Sequence, residues 1–573
     1  MMNFHTERRK VVAGLGLTSL IGAVCTSVSA QTLLSENGNE IVETTAGKVR
    51  GSRSDGVYVF KGIPYGATTA GDARFMPPMP SRPWPGIRDA LAYGPTAPQS
   101  NPAEAGGMDR LATGPAAERM RDFMQFLHGM AGDEPPMGED CLVLNVWTAS
   151  TSRDRKRPVM VYLHGGAFTT GSGSWPLYDG VGLAQRGDAV AVTLNHRLGA
   201  LGFLNLAELG GEEYAKSGNV GMLDIVAALE WVRDNIEAFG GDPDRVLVYG
   251  SSGGASKTST LLAMPSASGL FNRANLMSGA LMSAASSDGA ARTAERLLAR
   301  LDIAPGDFRK LHDIPFATLA SEAERVNAVP ISSALAGAAD PTQFMALMPV
   351  VDGDVLPSHP MEPVASPVGT DVPALVGYTR EDMTMMMYGM PWFGTLDEDG
   401  LAGMATANFG EMGAEIHAAY RAERPDATPS AIASQFVTDR VMFMGSVGWA
   451  ERRAEAEGAA PAYLYRFDFE SAAMGGAFGA AHGGDIPFAM NNYNSSSMAG
   501  DRPENPQMAK IMSDTWVQFA ETGNPNNPMI PEWEGYSADN RATMILDVPP
   551  RAETDPRGQI RELIAEAIAK PMA

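Results

Sequence analysis

Arg245-Val246-Leu247-Val248-Tyr249-Gly250-Ser251-Ser252-Gly253-Gly254 is the stretch that decides the fold. Its first part is short, apolar and unalternating, as suits a strand covered on both faces within a parallel sheet. It runs straight into Gly-x-Ser-x-Gly, a pattern that occurs once in the chain, and a helix-capable stretch, Ala255 to Met264, follows. Alone, the pentapeptide is only a glycine-rich turn. Between a strand and a helix it becomes the strained elbow that lifts a serine hydroxyl above a sheet. Glycines flank that serine because a side chain beside so sharp a turn would collide with its neighbours. Ser252 is therefore expected to be a nucleophile at the N-terminus of a helix.

Upstream lie two runs of the same kind, Val159-Met160-Val161-Tyr162-Leu163 and Ala189-Val190-Ala191-Val192-Thr193-Leu194. Between the second run and the elbow, Ile225, Ala228, Leu229, Val232 and Ile236 recur at helical spacing within Leu223 to Ile236. Strand, helix, strand in that order implies right-handed crossovers and an α/β class, a mostly parallel twisted sheet flanked by helices. Asp302 to Val350 and Ala402 to Ala433 read mainly as helices, and an amphipathic helix, Gln559 to Lys570, closes the chain. No repeat or flexible linker divides it, so residues 31–573 read as one domain with helical insertions at roughly 300–370 and 385–450.

Composition narrows the function. The 573 residues carry 67 acidic and 44 basic side chains, a formal charge of −23, which argues against a footprint for nucleic acid or anionic lipid. Two cysteines, Cys25 and Cys141, are too few for a disulfide framework. No internal stretch reaches the roughly 20 apolar residues that cross a bilayer, so no stable membrane anchor is expected. The N-terminus reads as an address: Arg8-Arg9-Lys10, an apolar run from Val11 to Val24, then Ser27-Val28-Ser29-Ala30, a secretory signal cut after Ala30. It implies a periplasmic or secreted protein, and Arg8-Arg9 leaves the twin-arginine route open beside the ordinary one. The cut removes Cys25 and leaves Cys141 as the mature chain's thiol.

A serine nucleophile needs an oxyanion hole, a base and an acid. His164-Gly165-Gly166-Ala167-Phe168 follows directly on the strand ending at Leu163, and paired glycines let backbone amides turn toward a substrate oxygen. The expected donors are the amides of Gly165, Gly166 and Gly253, with His164 as a structural residue holding the loop. With a Gly-x-Ser-x-Gly serine the acid and then the histidine follow in sequence. Of eight histidines, His312, His359, His417 and His482 come after Ser252. His417 falls on an expected amphipathic helix, Glu411 to Tyr420, and His312 and His359 leave less room for an intervening acid. His482 sits in Gly479-Ala480-Ala481-His482-Gly483-Gly484-Asp485, a loop of the kind that carries catalytic groups. The acid is expected just past the apolar run Ala374 to Gly377, where spacing alone leaves Glu381 and Asp382 both open.

With these pieces placed, the chain resembles the type-B carboxylesterases, the carboxylesterase/cholinesterase branch of the α/β-hydrolases, and within it the bacterial para-nitrobenzyl-esterase-like members. Val42 to Gly51 followed by Phe60-Lys61-Gly62-Ile63-Pro64-Tyr65-Gly66 resembles the family's opening. Glu139-Asp140-Cys141-Leu142-Val143-Leu144-Asn145-Val146 matches its second signature. Phe239-Gly240-Gly241-Asp242-Pro243 precedes the elbow, and Trp516 to Ala520 with Thr522-Gly523-Asn524-Pro525 match near the end. The resemblance implies an α/β-hydrolase fold whose helical insertions form a lid over an active-site gorge. It implies Ser252 as nucleophile, His482 as base and, in Gly377-Tyr378-Thr379-Arg380-Glu381-Asp382-Met383, Asp382 at the acid position with Glu381 as the alternative.

Departures from the family's pattern also carry expectations. Ser251 and Gly253 replace the usual Glu and Ala beside the nucleophile, and no Trp lies between Trp84 and Trp147, where cholinesterases hold a quaternary cation. Choline esters are therefore not expected as substrates. The cysteine that the family pairs with the one in Glu-Asp-Cys is here Ala97, which implies a free, buried Cys141. The expected reaction is hydrolysis of small-molecule esters through an acyl-enzyme, with no cofactor and no metal. Met120, Met124, Met130, Met383, Met385, Met386, Met387 and Met390 suit either core packing or a broad apolar pocket, with Phe168, Trp392 and Phe393 as further lining. The competing readings are a non-catalytic binding protein on the same fold, and a triad that cleaves amides or carbamates.

Overall fold

The computed structural model describes residues 40–100, 115–327 and 345–570, and the leader at 1–30 lies outside them. The strands of its main sheet are β1 (Ser52–Ser54), β2 (Val57–Pro64), β3 (Val143–Thr148), β4 (Arg157–Leu163), β5 (Val190–Leu194) and β6 (Gly241–Ser251). They continue as β7 (Arg273–Met277), β8 (Ala374–Thr379), β9 (Ala462–Phe467), β10 (Ala542–Leu546) and β11 (Arg551–Thr554). These eleven strands lie in the order β11-β10-β9-β8-β7-β6-β4-β5-β3-β2-β1. From β5 across to β10 every pairing is parallel, and antiparallel strands close both edges.

The unalternating apolar runs have a direct explanation in the packing. Val159, Val161, Leu163, Val246 and Val248 point into one core, with Ile225, Leu229 and Val232 of α2 (Val220–Asn235), the next long helix after α1 (Pro115–Ala131). Met160, Tyr162, Leu247 and Tyr249 point into a second core on the opposite face, with Met508, Met512, Trp516 and Phe519 of the helix Asn505–Thr522. Both faces are covered, so both sets of alternate positions must be apolar. A third cluster joins Leu401, Phe409, Ile416, Tyr420, Ile432 and Phe436 of the helices Glu398–Phe409, Gly413–Glu423 and Pro429–Thr438 to Ile560 and Ile564 of the closing helix Gly558–Ala569.

The expected helices at 402–433 are therefore present, broken into separate pieces. The helical reading of Asp302 to Val350 holds for the 3-10 turn Pro305–His312 and the helix Phe316–Asn327, and residues 328–344 lie outside the described set. Cys141 is free and fully buried, and burial pushes its thiol up to about 12. Ala97 is likewise buried in the same core. Among the described residues no helix is long and apolar enough to cross a membrane.

Candidate active site

β6 ends at Ser251, and Ser252 turns with φ 60° and ψ −124° into the nine-residue helix α3 (Gly253–Leu261). Side-chain-bearing residues avoid that region, and holding one there costs on the order of 1–3 kcal/mol. The surroundings impose it. The Ser252 amide donates to the Met277 carbonyl at 2.8 Å, locking the turn to the end of β7. A Cβ on Gly254 would stand 2.0 Å from the Leu163 carbonyl oxygen, so only glycine lets α3 approach β4 this closely. Ser252 thus caps α3, where the helix dipole favours developing negative charge.

The loop after β4 lies against this turn. A Cβ on Gly165 would be 3.6 Å from that of Ser252, and one on Gly253 would strike Ala167 at 2.5 Å from its amide nitrogen. Gly166 and Ala167 both have positive φ, 84° and 51°. Among the described residues neither amide donates to a backbone acceptor, and the Gly253 amide opens a helix whose first amides have no internal partner. The Gly165 amide differs: it faces the phenol of Tyr178, whose pKa burial raises to about 12 and this amide holds down. Phe168, expected to line a pocket, is fully buried against Phe203, so it supports the loop from below.

Asp382 lies three residues beyond the end of β8 and is fully buried. Its Oδ1 is 2.5 Å from His482 Nδ1, its Oδ2 accepts from the Thr379 amide at 3.0 Å, and the His482 amide donates to its carbonyl at 3.1 Å. Burial works to raise the Asp382 pKa, but the charge and hydrogen bond of His482, with Ser278 and the Thr379 amide, hold it below the ordinary 3.8. Burial works to lower that of His482, and Asp382 with Asp485 outweighs it, leaving the imidazole above 6.5. A carboxylate only accepts, so Nδ1 carries the proton and Nε2 is left as the acceptor.

Glu381 is engaged otherwise. Its Oε1 takes Arg380 at 2.7 Å and Arg424 at 3.2 Å, and its Oε2 accepts from the Ala480 amide at 3.0 Å, bracing the His482 loop. The acid loop is held from its other side by the helix Pro429–Thr438, where Gln435 donates to the Arg380 carbonyl and Thr438 accepts from the Met383 amide, both at 2.9 Å. The other late histidines are committed elsewhere: His312 bonds Tyr214 and the Gly71 carbonyl, His359 accepts from the Ala284 amide, and His417 lies 3.6 Å from Glu398.

Two adjacencies connect the serine with the histidine pair. The Ser252 amide is bonded to Met277, and the next residue, Ser278, faces Asp382. On the other flank the Ser251 amide faces Tyr162, which feels Asp485, the residue that also raises His482. Sequence reasoning missed Asp485 as a participant. It is fully buried, its Oδ2 accepts from Tyr465 at 3.3 Å, and burial with Asp382 pushes its pKa up to about 7. Its place three residues after His482 in the same loop was the available signal. Among the described residues no cluster of His, Cys, Asp and Glu is arranged to hold a metal.

The model of the carboxylesterase family matches residues 38–562. The chain belongs to the carboxylesterase family. It is a carboxylic-ester hydrolase of the α/β-hydrolase fold. The family chain is 34% identical over 531 residues to the para-nitrobenzyl esterase of Bacillus subtilis, covering 91% of this chain and 98% of that one. It is 34% identical over 518 residues to the phenmedipham hydrolase of Pseudarthrobacter oxydans, covering 88% and 94%. A solved carboxylesterase of Geobacillus stearothermophilus superposes with a TM-score of 0.72 at 36% identity, covering 91% of this chain and 99% of that one.

The methionine question divides. Met120, Met130, Met385 and Met387 are buried, and Met120 packs beneath Gly389, as core residues. Met386 is exposed. Trp392 packs on the third, helical cluster and Phe393 meets Tyr388 edge-on at 5.4 Å.

Proposed function

We propose that this carboxylesterase cleaves small-molecule esters in two steps through an acyl-enzyme, with Ser252, His482 and Asp382 as its triad. The single observation that carries this reading is the 2.5 Å contact between His482 Nδ1 and Asp382 Oδ1, which leaves Nε2 ready to accept a proton. Nε2 takes the Ser252 proton as Oγ attacks the ester carbonyl, and returns it to the departing alkoxide as the C–O bond breaks. The same nitrogen then deprotonates a water that attacks the acyl carbonyl, and Ser252 leaves with that proton. Gly166, Ala167 and Gly253 supply the amides for the oxyanion. Ala167 takes the place expected of Gly165, whose amide faces the Tyr178 phenol. Each such donor is worth about 3–4 kcal/mol in the transition state.

Choline esters lie outside the proposed range. Trp84, the aromatic preceding the gap in the sequence, packs on Gly47 with the Arg88 guanidinium 5.3 Å from its ring, so its face is already occupied by a cation. Export on the leader belongs to the same proposal, supported by Arg8-Arg9-Lys10, the apolar run and Ala30. The exported protein then begins at Gln31, which intact mass reads directly; a mature protein retaining Met1 refutes it.

A fluorophosphonate probe tests the nucleophile: it modifies the native protein once, at Ser252, and modification elsewhere or none refutes the assignment. The pH dependence follows from the signs above. Turnover needs neutral His482, so kcat/KM falls as pH drops through its pKa, placing the acid limb above pH 6.5. Asp485→Asn removes a charge that raises His482, and the limb moves to lower pH. A limb that stays in place or moves up counts against this arrangement.

A further inference from the structure

Beneath the glycine loop sit three buried groups that the ester chemistry leaves unused: His164, His196 and Lys257. The two imidazoles stack with centroids 4.9 Å apart and planes 10° apart. Each Nδ1 lies 2.8 Å from a backbone carbonyl, of Gly165 and Arg197 respectively, and each Nε2 is buried without a partner among the described residues. Lys257 stands on α3, the helix that Ser252 caps. Its Nζ donates at 2.9 Å to the carbonyl of His164, the residue immediately before the glycine pair, with the Phe168 ring centroid at 5.9 Å. No carboxylate among the described residues pairs with it. Asp224, the buried acid of this region, is spent on Arg197 through two contacts at 2.7 and 2.8 Å.

We propose that Lys257 is a positioning residue for the oxyanion loop: its ammonium fastens the His164 carbonyl to α3 and places a buried positive charge on the side of the site where the substrate oxygen becomes negative. The proposal rests on the ester-hydrolase reading of Ser252. A neutral amine keeps the hydrogen bond but loses the charge, and inside a protein a charge acts far more strongly than in water. Burial pushes the Lys257 pKa down to about 7, so its charge is in play near neutrality. The groups facing it from the loops after β4 and β5 are His164 and His196, each held neutral by burial first and by Lys257 second. Beyond them Arg197 is neutralised by Asp224 of α2. The charges that raise His482 are Asp382 and Asp485, so the ammonium acts on the oxyanion side and not on the base.

Lys257→Met tests this. An apolar side chain of similar length fills the site with no buried charge to satisfy, so the variant folds. In the native enzyme kcat for a p-nitrophenyl ester follows a bell, with an alkaline limb where Lys257 loses its proton. In Lys257→Met the alkaline limb is absent and the plateau lies about tenfold below the native optimum. Lys257→Arg, charged at every working pH, restores the higher plateau and also lacks the alkaline limb; if it does not fold, the Met variant decides alone. A Met variant that keeps the native alkaline limb, or loses rate without losing that limb, overturns the proposal. Ser252→Ala, assayed beside it, separates the two readings. An inactive Ala variant with an unchanged Met profile sinks only the lysine's role, whereas an active Ala variant sinks the nucleophile assignment beneath it.

Discussion

Ser252→Ala loses turnover on the order of 10⁶-fold, with fluorophosphonate modification gone and the thermal midpoint close to native. The size follows from what is removed. On the proposed mechanism, without Oγ there is no covalent path, and His482 and Asp382 have nothing to activate. What remains is the loop of amides and substrate binding, which in serine hydrolases retains on the order of 10³-fold catalysis over water. Stability changes little because alanine inherits the same strained backbone at φ 60° and removes only one oxygen. A turnover loss below about a hundredfold points to a different nucleophile.

The second large effect separates two neighbouring carboxyl side chains. Asp382→Asn lowers kcat by about 10⁴-fold, because an amide at that place no longer fixes the proton on His482 Nδ1 or stabilises the imidazolium. Glu381→Gln behaves differently. Its carboxylate holds Arg380, Arg424 and the Ala480 amide, so its loss costs on the order of 3 kcal/mol of stability in urea titration while kcat stays within about tenfold. If the Gln variant is the catalytically dead one, the two roles are exchanged.

The strained turn at Ser252 was legible because its requirements are local: a buried strand, glycines where backbones touch, and a helix to follow. The strands at 159–163 and 190–194 and the helix near 223–236 were legible for a similar reason, since burial on both faces writes itself into composition. His482 emerged by elimination. The choice between Glu381 and Asp382 did not, because both are carboxylates beside one strand end and only the third dimension shows which meets the imidazole. Which loop amides face the oxyanion is not legible locally either, since Gly165 and Tyr178, thirteen positions apart, face each other across a loop that no periodicity describes. Lys257 reads in sequence as an ordinary polar helix residue; nothing local announces that α3 is buried along its whole length.

The order of the strands has a consequence for biosynthesis. Ser252 follows β6, while Asp382 and His482 arrive only after β8 and β9, strands that lie beyond β7 from the elbow. On the proposed triad, a chain cut short before residue 482 carries the hydroxyl without its proton acceptor and is expected to be inactive.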